Sequence, residues 1–187
     1  MPVPPASPLG PLAGLIGTWE GDQGIDVAFH NAKGDLGETK YRERIDFKPF
    51  GPVDNGAQCL YGLDYRMAAW RVGEDEPFHT EVGYWLWDAA NSQVMRCFMV
   101  PRGSTVLAGA TVEPDARTFT MKATLGSPTY GILSNVYLDQ KAKTTAFECT
   151  IEVGDGVFSY DETTTVEVVA YGGTVAHTDR NTLTRVD

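Results

Sequence analysis

One pattern constrains this chain more than any other: over most of its length the apolar side chains fall at every second position. Tyr41, Glu43, Ile45 and Phe47 alternate with Arg42, Arg44, Asp46 and Lys48. Phe119, Met121, Ala123 and Leu125 alternate with Thr120, Lys122 and Thr124. Thr145, Phe147, Cys149, Ile151 and Val153 alternate with Ala146, Glu148, Thr150 and Glu152, and Phe158, Tyr160, Val166 and Val168 continue the series. Successive side chains of a strand point to opposite faces, so a period of two marks strands with one buried and one wet face, the habit of antiparallel sheets. Turn-forming clusters punctuate the runs at Asn31–Gly34, Gly51–Gly56, Gly73–Pro77, Asp88–Ser92, Pro101–Gly103, Glu113–Asp115, Gly154–Gly156 and Tyr171–Gly173. They delimit about ten strands in up-and-down order. A sheet of that size curls, and closure removes its edges. The expected fold class is therefore all-β: an up-and-down antiparallel β-barrel of about ten strands, preceded by a short helical turn in Pro11–Gly17. A barrel of this strand number can leave room inside for one small ligand.

At 187 residues with 42% hydrophobic content, the chain is long enough for one substantial core. The division read from composition is a Pro-rich leader over residues 1–11, disordered or polyproline-like, and a single barrel domain over 12–187. The net charge of -10 has the wrong sign for nucleic acid, whose binders need a cationic footprint, and for a polybasic membrane patch. No run of eighteen apolar residues spans a membrane, and no cationic, apolar secretory leader opens the chain. Cys59, Cys97 and Cys149 form no C-x-x-C and cannot all pair, which suits a reducing compartment. The expected address is the cytoplasm. Phosphate loops, zinc-protease helices and nucleophile elbows are missing, so hydrolase chemistry finds no footing.

Gly17-Thr-Trp19-Glu-Gly21 resembles the Gly-x-Trp opening of the lipocalins and fatty-acid-binding proteins. In those barrels the Trp plugs the closed end under an Arg from the last strand, which implies structural roles for Trp19 and Arg185. Phe78-His-Thr-Glu-Val-Gly-Tyr-Trp85, Pro101-Arg-Gly103, Gly109, Phe158-Ser-Tyr160 and the terminal Leu183-Thr-Arg-Val186 resemble, in order, the nitrobindin family of haem-binding barrels. The resemblance implies ferric haem in an apolar pocket, an iron-ligating His on the last strand, and reactivity toward nitric oxide or peroxynitrite. In that family the ligand lies five positions before the Leu of Leu-x-Arg-Val. Counting back from Leu183 lands on Thr178, with His177 one residue further. A one-residue slip changes face, so His177 is expected to ligate only if a bulge lies between. Leu86 stands where the family carries Arg.

His177 and Thr178 are thus the candidate haem contacts, with His177 the expected iron ligand and His79 lining the pocket. The bland readings are a rim His177 bonded to Asp179, and a His79 paired with Glu81 or Glu43. His30, in a turn, is expected to be exposed. Glu43 lies on an apolar face and needs a partner, because an unpaired buried carboxylate costs several kcal/mol. Arg66, His79 or a ligand's polar group could supply one. Tyr41, Glu43, Glu81 and Trp85 complete the candidate pocket, and Trp70, Tyr84 and Trp87 extend its aromatic wall. Met95, Met99 and Met121 could fill a core or add a second iron ligand. Asp161 and Glu162 read as solvated. The alternative function is a non-haem barrel holding a fatty-acid-like or other apolar small molecule. A third reading is catalysis by His79 and Glu81. Partners are accordingly haem or a small apolar molecule, with neither nucleic acid nor membrane, and a homodimer is left open.

Overall fold

The computed structural model describes residues 7–187; most of the Pro-rich leader, residues 1–6, lies outside the described residues. A 3-10 turn, Gly10–Leu15, opens the fold and buries Pro11, Leu12 and Leu15; Leu9 just before it is buried as well. The strands are β1 (Gly17–His30), β2 (Asp35–Asp54), β3 (Cys59–Arg71), β4 (His79–Asp88), β5 (Gln93–Val100), β6 (Ser104–Thr111), β7 (Thr118–Thr124), β8 (Ile132–Ser134), β9 (Ala142–Val153), β10 (Val157–Val168) and β11 (Gly173–Arg185). All pairings are antiparallel. β1 to β6 pair in sequence, β7 joins β6 to β9, and β9, β10 and β11 return to β1. The result is a closed ten-stranded barrel, as the alternation predicts. The three-residue β8 is an extra piece on β6.

Three local departures from the simple pattern are informative. The Gly51–Gly56 cluster does not end β2, which continues to Asp54 through a register shift between Phe50 and Val53. The β7–β9 connection carries β8 and a short helix α1 (Val136–Lys141), whose N-cap Asn135 accepts the Leu138 N–H at 2.9 Å. The third is a bulge in β1: its register shifts against β11 between Glu20 and Ile25, and against β2 between Gly21 and Gly24. A Cβ on Gly24 would overlap the Tyr41 ring, so this passage needs glycine.

One end of the barrel is plugged. Trp19 is fully buried there, edge-on to Phe158 at 5.3 Å, and its indole N–H donates to the Leu15 carbonyl at 2.7 Å. Arg185 lies over the Trp19 ring at 4.8 Å and donates to the Gly14 carbonyl at 2.7 Å. Leu12 and Leu15 fill the remaining space, each such burial contributing about 1.5–3 kcal/mol. Strand direction places the starts of β4 and β11 at the opposite end.

Candidate functional site

The two strands that begin at the open end each present an imidazole to the interior. On β11, His177 has the same parity as Val175, Asp179, Asn181 and Leu183, of which Val175, Asn181 and Leu183 are buried. β10 and β11 pair without a slip from Val157↔Thr184 to Val168↔Gly173. His177 therefore faces inward without any bulge in β11, contrary to the expectation from counting. By the same alternation Thr178 lies on the outer face and cannot share a pocket with His177. On β4, His79 shares its face with Glu81, Trp85 and Trp87, all buried. Although both rings point inward, 35% of the His79 side chain and 39% of the His177 side chain meet solvent. Solvent thus enters the barrel at this end and reaches both imidazoles.

Each imidazole has a carboxylate. His177 Nε2 lies 2.6 Å from Asp26 of β1, and His79 Nε2 lies 3.2 Å from Glu81. The pairing of His79 with Glu81 was one of the two expected; that of His177 with Asp26, rather than Asp179, was not. Burial pulls both imidazole pKa values down, but the hydrogen bond and charge of the carboxylate outweigh it, and both end raised. His30, expected in the open, is half-buried at the end of β1, where its ring packs over Gly37.

Below the imidazoles lies a polar layer. Arg96 of β5 is the one buried cation among the described residues. Its guanidinium donates to Glu81 and to Glu162, each at 2.7 Å, with its carbon 4.4 Å from the Phe98 ring centre and 5.6 Å from that of Phe147. One guanidinium shared by two carboxylates stabilises them unequally. Burial opposes the charge on Glu81, but Arg96, with help from His79 and Tyr65, holds its pKa down at about 2. Glu162 is pushed up by burial and by the nearby Glu81 in spite of Arg96.

A second network crosses the barrel from β2 to β10 and β11. Glu43 accepts from the Tyr160 hydroxyl and from the Asn181 amide, both at 2.9 Å. Tyr41 donates to Asp179, and its hydroxyl oxygen lies 2.7 Å from that of Tyr160. Burial pushes Glu43 up to about 8 and Asp179 up to about 7. Glu43 thus finds neither Arg66, which is exposed, nor His79. Among the described residues its Oε1 has no hydrogen-bond partner, nor has the Trp85 indole nitrogen.

The aromatic candidates divide by face. Trp85 and Trp87 are interior; Trp85 sits deep, edge-on to Phe47 at 5.6 Å and to Tyr65 at 6.1 Å, and is core. Tyr84 is outside and 52% exposed, and Trp70 packs under Arg42 on the outer surface. Of the methionines, Met121 is buried in the core, whereas Met99 is 53% exposed and Met95 shares its outward face, so neither can reach an interior ligand.

Residues 8–185 match the family model described as the THAP4-like, heme-binding beta-barrel domain. The chain belongs to this family. Membership agrees with the nitrobindin-like motifs in the sequence. Over 77 residues, 40% of this chain, it is 35% identical to a peroxynitrite isomerase of Clavibacter michiganensis subsp. michiganensis. The match takes in only 33% of that relative's length. Among solved structures, the crystal structure of Rv2717c from M. tuberculosis superposes with a TM-score of 0.68 at 17% identity, over 97% of this chain and 99% of that one, a likeness of fold. Against the apolar pocket that the resemblance implies, the interior here is acid-rich. Asp26, Glu43, Glu81, Glu162 and Asp179 all face inward.

Sequence reasoning missed Arg96, Glu162 and Asp26 as parts of this interior. Two of them carried a signal. Arg96 shares parity with Val94 and Phe98, and Glu162 shares it with Phe158 and Tyr160, so alternation alone puts these groups inside. Asp26 carried none, because the β1 bulge resets the parity between Trp19 and Asp26.

Proposed function

We propose that this chain binds ferric haem in the open end of its barrel, with His177 as the residue that would hold the iron. The observation that supports this most is an imidazole on the last strand that faces inward, touches solvent and is backed by a carboxylate. A neutral imidazole is a good donor to iron, and a carboxylate partner raises its basicity and fixes its orientation. The donor chemistry at the mouth therefore fits the group named by the family. His79 would face the same space from β4, with its proton held between its own Nε2 and Glu81. Thr178 has no part in this reading.

Bound ferric haem would supply an open coordination position able to take a small nitrogen oxide, and by likeness to the peroxynitrite isomerase we extend the proposal to nitric oxide or peroxynitrite. The chain's contribution is to hold the iron ligand, to offer His79 as a proton donor or acceptor at the mouth, and to close the far end with Trp19 and the 3-10 turn. An address in the cytoplasm remains part of the proposal. Among the described residues no helix is long and apolar enough to cross a membrane.

The fatty-acid reading has less support. A carboxylate headgroup drawn inside would meet five acidic side chains, and the one buried cation is already engaged by two of them. Titration of the purified protein with haemin tests the proposal. We expect a Soret band distinct from that of free haemin, lost or shifted in His177→Ala. A spectrum no different from haemin with an inert acidic protein, or one indifferent to His177→Ala, overturns it.

A further inference from the structure

We propose that Asp26 is a positioning residue for His177: its carboxylate holds one ring nitrogen so that the other, carrying the lone pair, is left for a metal in the barrel. The inference rests on the haem reading for its purpose but stands on the fold for its geometry.

Three observations carry it. First, His177 Nε2 and Asp26 Oδ1 are 2.6 Å apart, a contact at the short end for an imidazole N–H on a carboxylate. In a neutral ring whose Nε2–H donates to Asp26, the tautomer is fixed and Nδ1 keeps its lone pair. Second, the contact is a diagonal across the β1–β11 ladder. Asp26 pairs with Asp179 and Val27 with Thr178, so the inward side chain of Asp26 reaches the inward residue two positions from its direct partner.

Third, β1 has to be deformed for this contact to exist. Trp19 faces inward, and in an unbroken strand the even-numbered residue 26 would face out. The irregularity between Glu20 and Ile25 adds one residue to β1 relative to β11, and Asp26 comes round to the inside, 7% exposed. Placing a carboxylate inside a barrel is costly unless it meets a partner. Here the bulge delivers it to an imidazole that stays partly open to solvent, an arrangement with little use for packing. Ligating histidines in metalloproteins depend on such outer carboxylates, and their loss typically weakens metal affinity about 10–100-fold.

The test compares the full-length wild type with Asp26→Asn and Asp26→Ala, each first checked for an unchanged far-ultraviolet spectrum and cooperative melting. In the metal-free protein, long-range proton–nitrogen correlation spectra of the imidazoles read the tautomer directly. A single tautomer of His177 is expected in the wild type, and a mixture of both in Asp26→Ala. In the haemin-loaded proteins, transfer of haemin to an acceptor apoglobin should be at least tenfold faster for Asp26→Ala, and the ferrous iron–imidazole stretching frequency should drop in both variants as the ligand loses its anionic partner. Asp26→Glu should restore part of each. An Asp26→Ala protein with the wild-type tautomer, or with haemin transfer within twofold of wild type and an unmoved stretching frequency, overturns the proposal. If the wild type takes no haemin, the haem reading fails by itself, and the tautomer measurement still decides whether Asp26 orients His177.

Discussion

Replacing Arg96 by methionine removes the charge but keeps much of the side chain's length between Phe98 and Phe147. It leaves Glu81 and Glu162 without the guanidinium that each contacts at 2.7 Å. Arg96 and Glu81 are almost entirely shielded from water, at 8% and 4% exposure, and Glu162 is little more open at 15%. Breaking a buried pair from one side costs about 3–5 kcal/mol, because the abandoned charge stays desolvated. That is a large part of the roughly 5–15 kcal/mol that holds a domain folded. The loss should depend on pH with a definite sign. In the wild type, Glu81 is held at about 2, below its unfolded value near 4.3, so its contribution is complete above about pH 4.3 and is lost only as pH falls through about 2. Without Arg96, both carboxyls fold only with a proton, at about 1.4 kcal/mol per pH unit for each that the unfolded chain would have released. The deficit of Arg96→Met should therefore be larger at pH 7 than at pH 5, read by urea unfolding of both proteins at the two pH values. Adding Glu81→Gln and Glu162→Gln to Arg96→Met should restore most of the stability. A loss below about 1 kcal/mol, or one equal at the two pH values, would refute the view that this cluster is held by its single cation.

Two further outcomes are expected. Glu43, pushed up to about 8, keeps its proton in the fold while the unfolded chain has lost it, so it lowers stability progressively from about pH 4.3 to 8 and no further above. Glu43→Gln should gain on the wild type across that window in guanidinium titrations, and a constant difference from pH 5 to 8 would contradict the assignment. Of the three free cysteines, Cys59 is exposed, while burial raises Cys97 and Cys149. One thiol should therefore react quickly with an aromatic disulfide in the native state, and Cys59→Ser should abolish that phase.

How much of this was legible in the sequence follows from what alternation can and cannot encode. The runs Tyr41–Phe47 and Phe147–Val153 repeat without interruption, and the strands there follow the expected faces. Arg96 and Glu162 obeyed the same rule, but their charge hid them, since a lone ion on an apolar face reads as a misfit until its partner on a distant strand is known. The bulge that counting asks for beside His177 is absent, because β11 pairs with β10 without a slip and the irregularity of this region lies on β1. Bulges depend on the pairing of two strands, and Gly21-Asp-Gln-Gly24 on its own looks like any flexible passage. α1 and β8 were missed because six-residue and three-residue elements leave too short a pattern to read.

The plug that closes one end also ties together the first and last strands. Thr18 N–H donates to Asp187, and Arg185 reaches back to Gly14, so the chain enters and leaves the barrel side by side, at the pole remote from His79 and His177. A tether, tag or neighbouring module joined after Asp187 would hang below the vessel and leave its lip clear.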